Sequence, residues 1–300
     1  MTFALLLTDI PAPIKRWGAN LYTIAHNLIA VTAPGPQSRE TLSWQGRCKR
    51  LDSPDPGKPH QDGNDPIMRC FLYSLLAGWT MFAAPAFAAD RPVVIELFTS
   101  QGCPSCPPAD GFFEQLAARD DVLALSLHVD YWDYIGWKDT FGSPAHTARQ
   151  RGYAAAAGRK MVYTPQIIVN GADQVVGTRY REVTDLIDKY LAAPENGIAV
   201  QVRREGGQVH LEARSESPRE MPLMVQFARY MPKATVEIER GENAGRTITY
   251  TNIVTDLVKV AEWDTQKPLT LDIDWPDDAP LAVLLQYPDQ GTIEAAAELR

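Results

Sequence analysis

Two cysteines separated by two residues, Cys103 and Cys106, restrict the fold of this chain more than any other feature. Residues 92–99 (PVVIELFT) precede them as a short, β-branched apolar run, which is typical of a buried parallel strand. Two prolines follow the second cysteine, and proline is tolerated in the first turn of a helix because no N–H partner is needed there. Residues 109–118 then space their apolar side chains along one helical face. The cysteine pair is therefore predicted to lie at a strand–helix junction.

This position predicts redox chemistry. The dipole and free N–H groups of a helix N-terminus stabilise negative charge, and the thiolate is the nucleophilic form of cysteine. Cys103 is the candidate attacking thiolate, and Cys106 lies close enough in sequence to resolve a mixed disulfide. A disulfide across so short a loop removes little entropy from the unfolded chain, so a purely stabilising role is disfavoured. Zinc sites use the same spacing, but no second cysteine pair follows in this sequence.

The N-terminal region contains a predicted export signal. Residues 68–89 combine Arg69, an apolar run and an Ala86-Phe87-Ala88 cleavage site, as secretory signal peptides do. We expect residues 1–67 to be a non-native or disordered extension, and the protein to be periplasmic or secreted. Cleavage also removes Cys48 and Cys70. The alternative is an uncleaved membrane anchor over residues 70–89, which is just long enough to span a bilayer.

Strands and helices alternate over residues 90–193, which are predicted to form a thioredoxin-like α/β domain with the cysteines at its first strand–helix junction. Residues 197–300 are predicted to form a small antiparallel β domain, sandwich-like in architecture, because alternating apolar runs are separated by Gly, Pro or Asp. Its candidate strands cover residues 198–203, 208–213, 221–228, 235–239, 247–254, 269–273 and 281–286.

Two other segments are predicted to face the cysteines. Thr164-Pro165 precedes the third predicted strand of the α/β domain, and a cis bond there would expose the Thr164 backbone to an extended substrate. Tyr131, Trp132 and Trp137 follow the second predicted strand and are candidates for a substrate-facing aromatic wall. The competing interpretation is that these aromatic side chains cover the core.

The ionisable side chains are mostly expected at the surface. Asp110 and Glu114 are predicted on a solvated helix face, and so is a basic cluster that includes Arg149. His128 ends an apolar strand, where a structural role is the commoner one. It is also a candidate third ligand, with both cysteines, for Cu(I).

Several segments resemble a known family. VVIELFTSQGCPSCPPAD, LSLHVDYWDYIGWKD, YTPQIIVNG and GENAGRTITYTNIV look like the secreted thioredoxin-like family named domain of unknown function 1223. The resemblance runs from about residue 92 to residue 300. It implies the fold and export, and leaves the biochemical activity undefined.

The functional expectation is a thiol–disulfide oxidoreductase that needs no cofactor and acts on a protein or a small thiol or disulfide. The alternatives are a copper-binding or copper-delivery protein, and a non-catalytic binding module. A net charge of −8 without a basic run argues against nucleic acid as a partner. A membrane partner is expected only if the 70–89 segment stays uncleaved.

Overall fold

The computed structural model describes residues 91–275 and 278–300, all within one compact unit. The predicted extension over 1–67 and the predicted signal peptide over 68–89 lie outside these residues. Among the helices of the described part of the chain, none is long and apolar enough to cross a membrane.

The first half alternates strands and helices as predicted. Its elements are β1 (Val93–Thr99), α1 (Pro107–Ala117), β2 (Val122–His128), a 3-10 turn (Asp133–Ile135), α2 (Pro144–Ala156), β3 (Gln166–Val169), β4 (Asp173–Val176) and α3 (Tyr180–Leu191). The Ser143 side chain caps α2 by accepting a hydrogen bond from the N–H of Ala145, and Pro144 occupies the first turn.

The second half consists of strands, several of them longer than predicted. They are β5 (Ile198–Glu205), β6 (Gln208–Ser215), β7 (Leu223–Ile238), β8 (Arg246–Trp263), β9 (Leu269–Asp274), β10 (Leu281–Gln286) and β11 (Ile293–Leu299). The strands predicted over 221–228 and 235–239 are one strand, because β7 pairs with β8 along nearly its whole length. Pro232 does not interrupt it, since the register continues from Met231 to Lys233. β11 was not predicted.

One eight-stranded sheet runs through both halves in the order β11-β10-β7-β8-β2-β1-β3-β4. β8 joins β2 in parallel at Ile253 and Ser126, and the Asn252 side chain donates to the carbonyl of Ala124. A separate three-stranded antiparallel sheet has the order β5-β6-β9. The predicted self-contained antiparallel domain over 197–300 therefore needs correction: β7, β8, β10 and β11 extend the sheet of the first half. The fold is mixed α/β, with few helices.

The core has three parts. Alternate residues of β1 face opposite sides of the sheet, so Ile95 packs with α1 and α3 while Phe98 packs with Tyr153 of α2. Residues of β5, β6 and β9 pack on β7, β10 and β11 around Phe227 and Val283. Helices thus cover both faces of the first half, and a second sheet covers the strands of the second half.

A buried polar network crosses between the halves. Arg149 of α2 pairs with both oxygens of Glu96 on β1, at 2.6 and 3.1 Å, and also donates to Gln226 and Gln286. Tyr153 donates to the same Glu96 carboxylate. Arg149 was predicted on a solvated helix surface, and its burial corrects that prediction: α2 lies against the sheet, so an arginine on this face requires partners.

Candidate functional site

Cys103 and Cys106 form a disulfide at the start of α1, with their Cα atoms 5.4 Å apart. Cys106 is the N-cap residue, and its carbonyl accepts from the N–H groups of Ala109 and Asp110. Neither cysteine side chain is exposed, whereas Pro104 and Ser105 between them are. The pair therefore lies at a helix N-terminus, as predicted, but both of its side chains are buried by neighbouring segments.

Residues 130–139, the segment after β2, cover one side of the cysteine loop, which is the connection over residues 100–106 between β1 and α1. Asp139 accepts from the N–H of Gln101 at 2.7 Å, and Trp137 donates its Nε1–H to the Gln101 side chain at 2.8 Å. A Cβ at Gly102 would lie 3.1 Å from Cβ of Trp132, so this position leaves little room for a side chain. Both tryptophans are half-buried and contact the two residues before Cys103.

The β7–β8 loop covers the cysteine loop on the other side. The Asn243 side chain is buried and donates to the carbonyls of Gln101 and Cys103, at 2.9 and 2.8 Å. Gly241 approaches Trp137, since a Cβ there would lie 3.3 Å from the tryptophan Cβ. Sequence analysis assigned no function to Asn243, because its partners lie about 140 residues earlier.

The predicted substrate-binding residues lie beside this loop. The Thr164–Pro165 peptide bond is cis, as predicted. Thr164 accepts from Nε1 of Trp132 at 2.7 Å, and Trp132 in turn contacts the position of Gly102. Tyr131 is half-buried, packs against the core, and lies with its ring centroid 6.4 Å from that of Trp132. The structure therefore brings Thr164, Trp132 and Trp137 toward the cysteines, while Trp132, like Tyr131, also packs against the core.

A buried polar cluster joins the end of β2, the first turn of α1 and β8. His128, at the end of β2, pairs through Nδ1 with Asp139 at 2.8 Å and packs its ring against Phe141 and Tyr250. Burial acts to raise the pKa of Asp139, but His128 and two backbone N–H groups hold it below its usual value. Burial raises the pKa of Tyr250, with Asp110 adding to the shift.

Asp110 belongs to the same cluster, which corrects the prediction of a solvated position. It is buried in α1 and accepts from the Thr99 hydroxyl at 2.8 Å. Burial raises its pKa to about 7, against the lowering effects of His128 and of the Thr99 hydrogen bond. Glu114, one turn further along α1, is exposed as predicted and pairs with Lys233 at 2.6 Å.

The metal alternative has limited geometric support. Within residues 91–275 and 278–300, no three His, Cys, Asp or Glu side chains are grouped to hold a metal ion. His128 keeps one feature of a ligand: its Nε2 is buried and lacks a partner in the described part of the chain, while a carboxylate orients the opposite ring nitrogen.

The fold and the site together define a mixed α/β protein with a covered cysteine pair at a strand–helix junction. Residues 94–286 match the family described as protein of unknown function, DUF1223. The chain belongs to this family, as its segments indicated. No curated protein matches it.

Two solved structures resemble the chain. The crystal structure of an Agrobacterium tumefaciens protein matches at 34% identity with a TM-score of 0.61, over 69% of this chain and 93% of that one. HBP35 of Porphyromonas gingivalis matches at 14% identity with a TM-score of 0.52, over 70% of this chain and 74% of that one, which is a likeness of fold alone.

Proposed function

We propose that this protein is an exported, thioredoxin-like thiol–disulfide oxidoreductase that uses Cys103 and Cys106. The observation that carries the proposal is the disulfide at the first turn of α1, where the helix N-terminus favours a thiolate. The order β1-α1-β2-α2-β3-β4-α3 supports the thioredoxin-like assignment, as does the central strand order β2-β1-β3-β4.

The proposed reaction proceeds through a mixed disulfide. The Cys103 thiolate attacks one sulfur of a substrate disulfide and releases the other as a thiolate. Cys106, once deprotonated, attacks Cys103, forms the internal disulfide and releases the second substrate sulfur as a thiolate. The substrate disulfide is thereby reduced to two thiols and the cysteine pair is oxidised. The reverse sequence oxidises a substrate dithiol.

Substrate binding is assigned to the surface beside the exposed Pro104 and Ser105. Thr164 offers its backbone to an extended chain, and Trp132 and Trp137 supply aromatic surface. Because both sulfurs are covered, attack on a substrate requires a local opening of the 130–139 segment or of the β7–β8 loop. This requirement favours small or extended disulfides over those inside rigid folded proteins.

The test is the reduction potential of the pair together with reduction of a peptide disulfide. A reversible couple in the range of roughly −100 to −280 mV supports the proposal. The Cys48→Ser/Cys70→Ser variant should behave as the wild type, and Cys103→Ser should be inactive. A pair that cannot be reduced reversibly without unfolding the protein would refute an oxidoreductase.

Copper binding is the second candidate, and the unpartnered Nε2 of His128 is the observation that favours it. Cu(I) titration of the reduced protein tests it. A high-affinity site lost in both His128→Ala and Cys103→Ser would support copper over redox chemistry. If Cys103→Ser binds no copper and retains every phenotype of the wild type, the binding-module alternative gains over both.

A further inference from the structure

A large open cleft lies at the opposite end of the central strands from the cysteines. Its volume is about 680 Å³, and its walls include residues of β5, β11 and the start of β2. Val122 and Leu123 of β2 line the cleft, whereas His128 ends the same strand and bonds Asp139 beside the cysteine loop. The six steps along this strand cover about 20 Å, so the cleft is separate from the proposed redox site.

β5 presents its edge to this cleft, not one of its faces. Residues 200–203 are consecutive, and all four line the cavity. Because successive side chains of a strand point to opposite faces, four neighbours share one cavity only along the edge of the strand. β6 occupies the other edge of β5 over residues 198–205. The edge along the cleft has no strand partner within residues 91–275 and 278–300.

The turn between β5 and β6 determines which backbone groups of β5 point into the cleft. Both glycines of the 206–207 turn have positive φ, at 60° and 83°, as a two-residue type I′ turn requires. The residues that flank such a turn, Glu205 and Gln208, form a hydrogen-bonded pair, and these pairs alternate along antiparallel strands. Val200 and Val202 therefore direct their N–H and C=O groups away from β6 and toward the cleft.

The charged side chains of the cleft are largely satisfied. Arg203 pairs with Glu212 at 3.1 Å, and Arg300 pairs with Glu298 at 2.7 Å. Glu298 also accepts from Tyr230, so the facing wall, β11, offers no free charge at this residue. The unpaired groups that remain along β5 are backbone donors and acceptors, and these select a ligand that has a backbone of its own.

We propose that this cleft binds an extended segment of a partner protein, which adds a strand to the free edge of β5. The inference is independent of the proposed redox function. β6 indicates which side chains such a segment needs, because it pairs with β5 from the other edge. It buries Val209, Leu211 and Ala213 against the core and places polar residues between them. A partner segment with the same alternation of apolar and polar residues fits the two faces of β5.

The segment comes from another molecule, not from this chain. Pro92 lines the cleft, so the residues that precede it are the alternative source. The predicted cleavage after Ala88 would leave only residues 89 and 90 ahead of Arg91. Two residues are too few for a strand, whose usual length is about 3–10 residues. A partner bound in the cleft would leave the cysteine loop, about 20 Å away, free to react.

A synthetic peptide provides the test. Acetyl-QVHLEARS-amide copies residues 208–215 of β6 and is added to the full chain at about ten times the Kd found by titration. About one molecule in eleven then remains free, so amide exchange at Val200 and Val202, followed by NMR, should slow about tenfold. The amides of Gln201 and Arg203 already pair with β6 and are internal controls whose exchange should not change.

Two matched controls separate backbone pairing from side-chain contact. Two N-methylated forms of the peptide, each blocked along one edge, keep every side chain; the form blocked on the edge that pairs with β5 should bind about tenfold more weakly. Val202→Pro removes an N–H that faces the cleft, and an edge strand tolerates proline there. It should also weaken binding about tenfold, whereas Val202→Ala keeps the N–H and should bind within about threefold of the wild type.

Each result has a definite consequence. A peptide that fails to bind at about 1 mM, or that binds without slowing exchange at Val200 and Val202, refutes the proposal. So does binding that neither N-methylated form weakens. Slow exchange at these two amides before peptide is added would place a segment of this chain or a second copy in the cleft, and also overturns it. If Val202→Pro does not fold, the N-methylated peptides decide alone.

Discussion

Asn243 offers a direct test of how the second half of the chain supports the cysteines. Its side-chain amide donates to the carbonyls of Gln101 and Cys103, and no other side chain is described as bonding these two oxygens. Asn243→Ala removes both hydrogen bonds at once. We expect it to destabilise the protein and to loosen the loop that carries Cys103.

The magnitude follows from the burial of the atoms involved. The Gln101 carbonyl is left unpaired, which costs about 1–3 kcal/mol, whereas the Cys103 carbonyl still accepts from the Cys106 N–H at 3.3 Å and loses one hydrogen bond worth about 0.5–1.5 kcal/mol. Against this, Oδ1 of Asn243 is itself buried without a partner in the described residues, and alanine removes that cost of about 1–3 kcal/mol. The free energy of unfolding should therefore fall by about 1 kcal/mol.

Urea denaturation followed by circular dichroism measures this loss, and alkylation of the reduced protein measures access to Cys103. Alkylation should be faster in Asn243→Ala than in the wild type. Glu242→Ala, an exposed change in the same loop, should stay within about 0.5 kcal/mol of the wild type. If the two variants unfold and alkylate alike, Asn243 does not hold the cysteine loop.

Three further predictions concern buried groups. Glu96→Gln leaves the charge of Arg149 uncompensated and should cost about 3–5 kcal/mol in urea denaturation, most of it recovered in Glu96→Gln/Arg149→Met. Burial raises the pKa of Asp110 from about 4 in the unfolded chain to about 7 in the folded one, so the native state binds this proton more tightly. As the pH rises from about 4 to about 7, the free energy of unfolding should therefore fall by at most about 4 kcal/mol. Urea denaturation at a series of pH values measures this fall, and Asp110→Asn should abolish it. The Cys103–Cys106 disulfide closes a very short loop, so chain entropy predicts that its reduction lowers the free energy of unfolding by only about 2 kcal/mol, measured by denaturation with and without reductant; a much larger loss would contradict a mainly redox role.

The local sequence pattern was sufficient to predict the strands and helices of the first half of the fold. The strand before Cys103, the prolines after Cys106 and the cap at Ser143 each act within a few residues, and their elements begin and end close to where the sequence places them. The same local rules divided β7 into two predicted strands, over 221–228 and 235–239, because sequence does not reveal that β8 pairs along its length.

The burial of the charged and polar side chains could not be predicted from the local sequence pattern. Asp110 and Arg149 have charged side chains, and charge alone predicts exposure. Their burial depends on what the opposite elements supply: Glu96 for Arg149, and Thr99 together with His128 for Asp110. Composition cannot indicate such pairings, which form only when the sheet and helices assemble.

Because the β7–β8 loop covers the cysteines, they are enclosed only late in the synthesis of the chain. Asn243 lies 140 residues after Cys103, so a growing chain has its cysteine pair long before it has the loop that encloses them. During that interval both thiols are open to oxidants and to other thiols. The redox state in which the cysteines are first enclosed is therefore set before the β7–β8 loop closes over them.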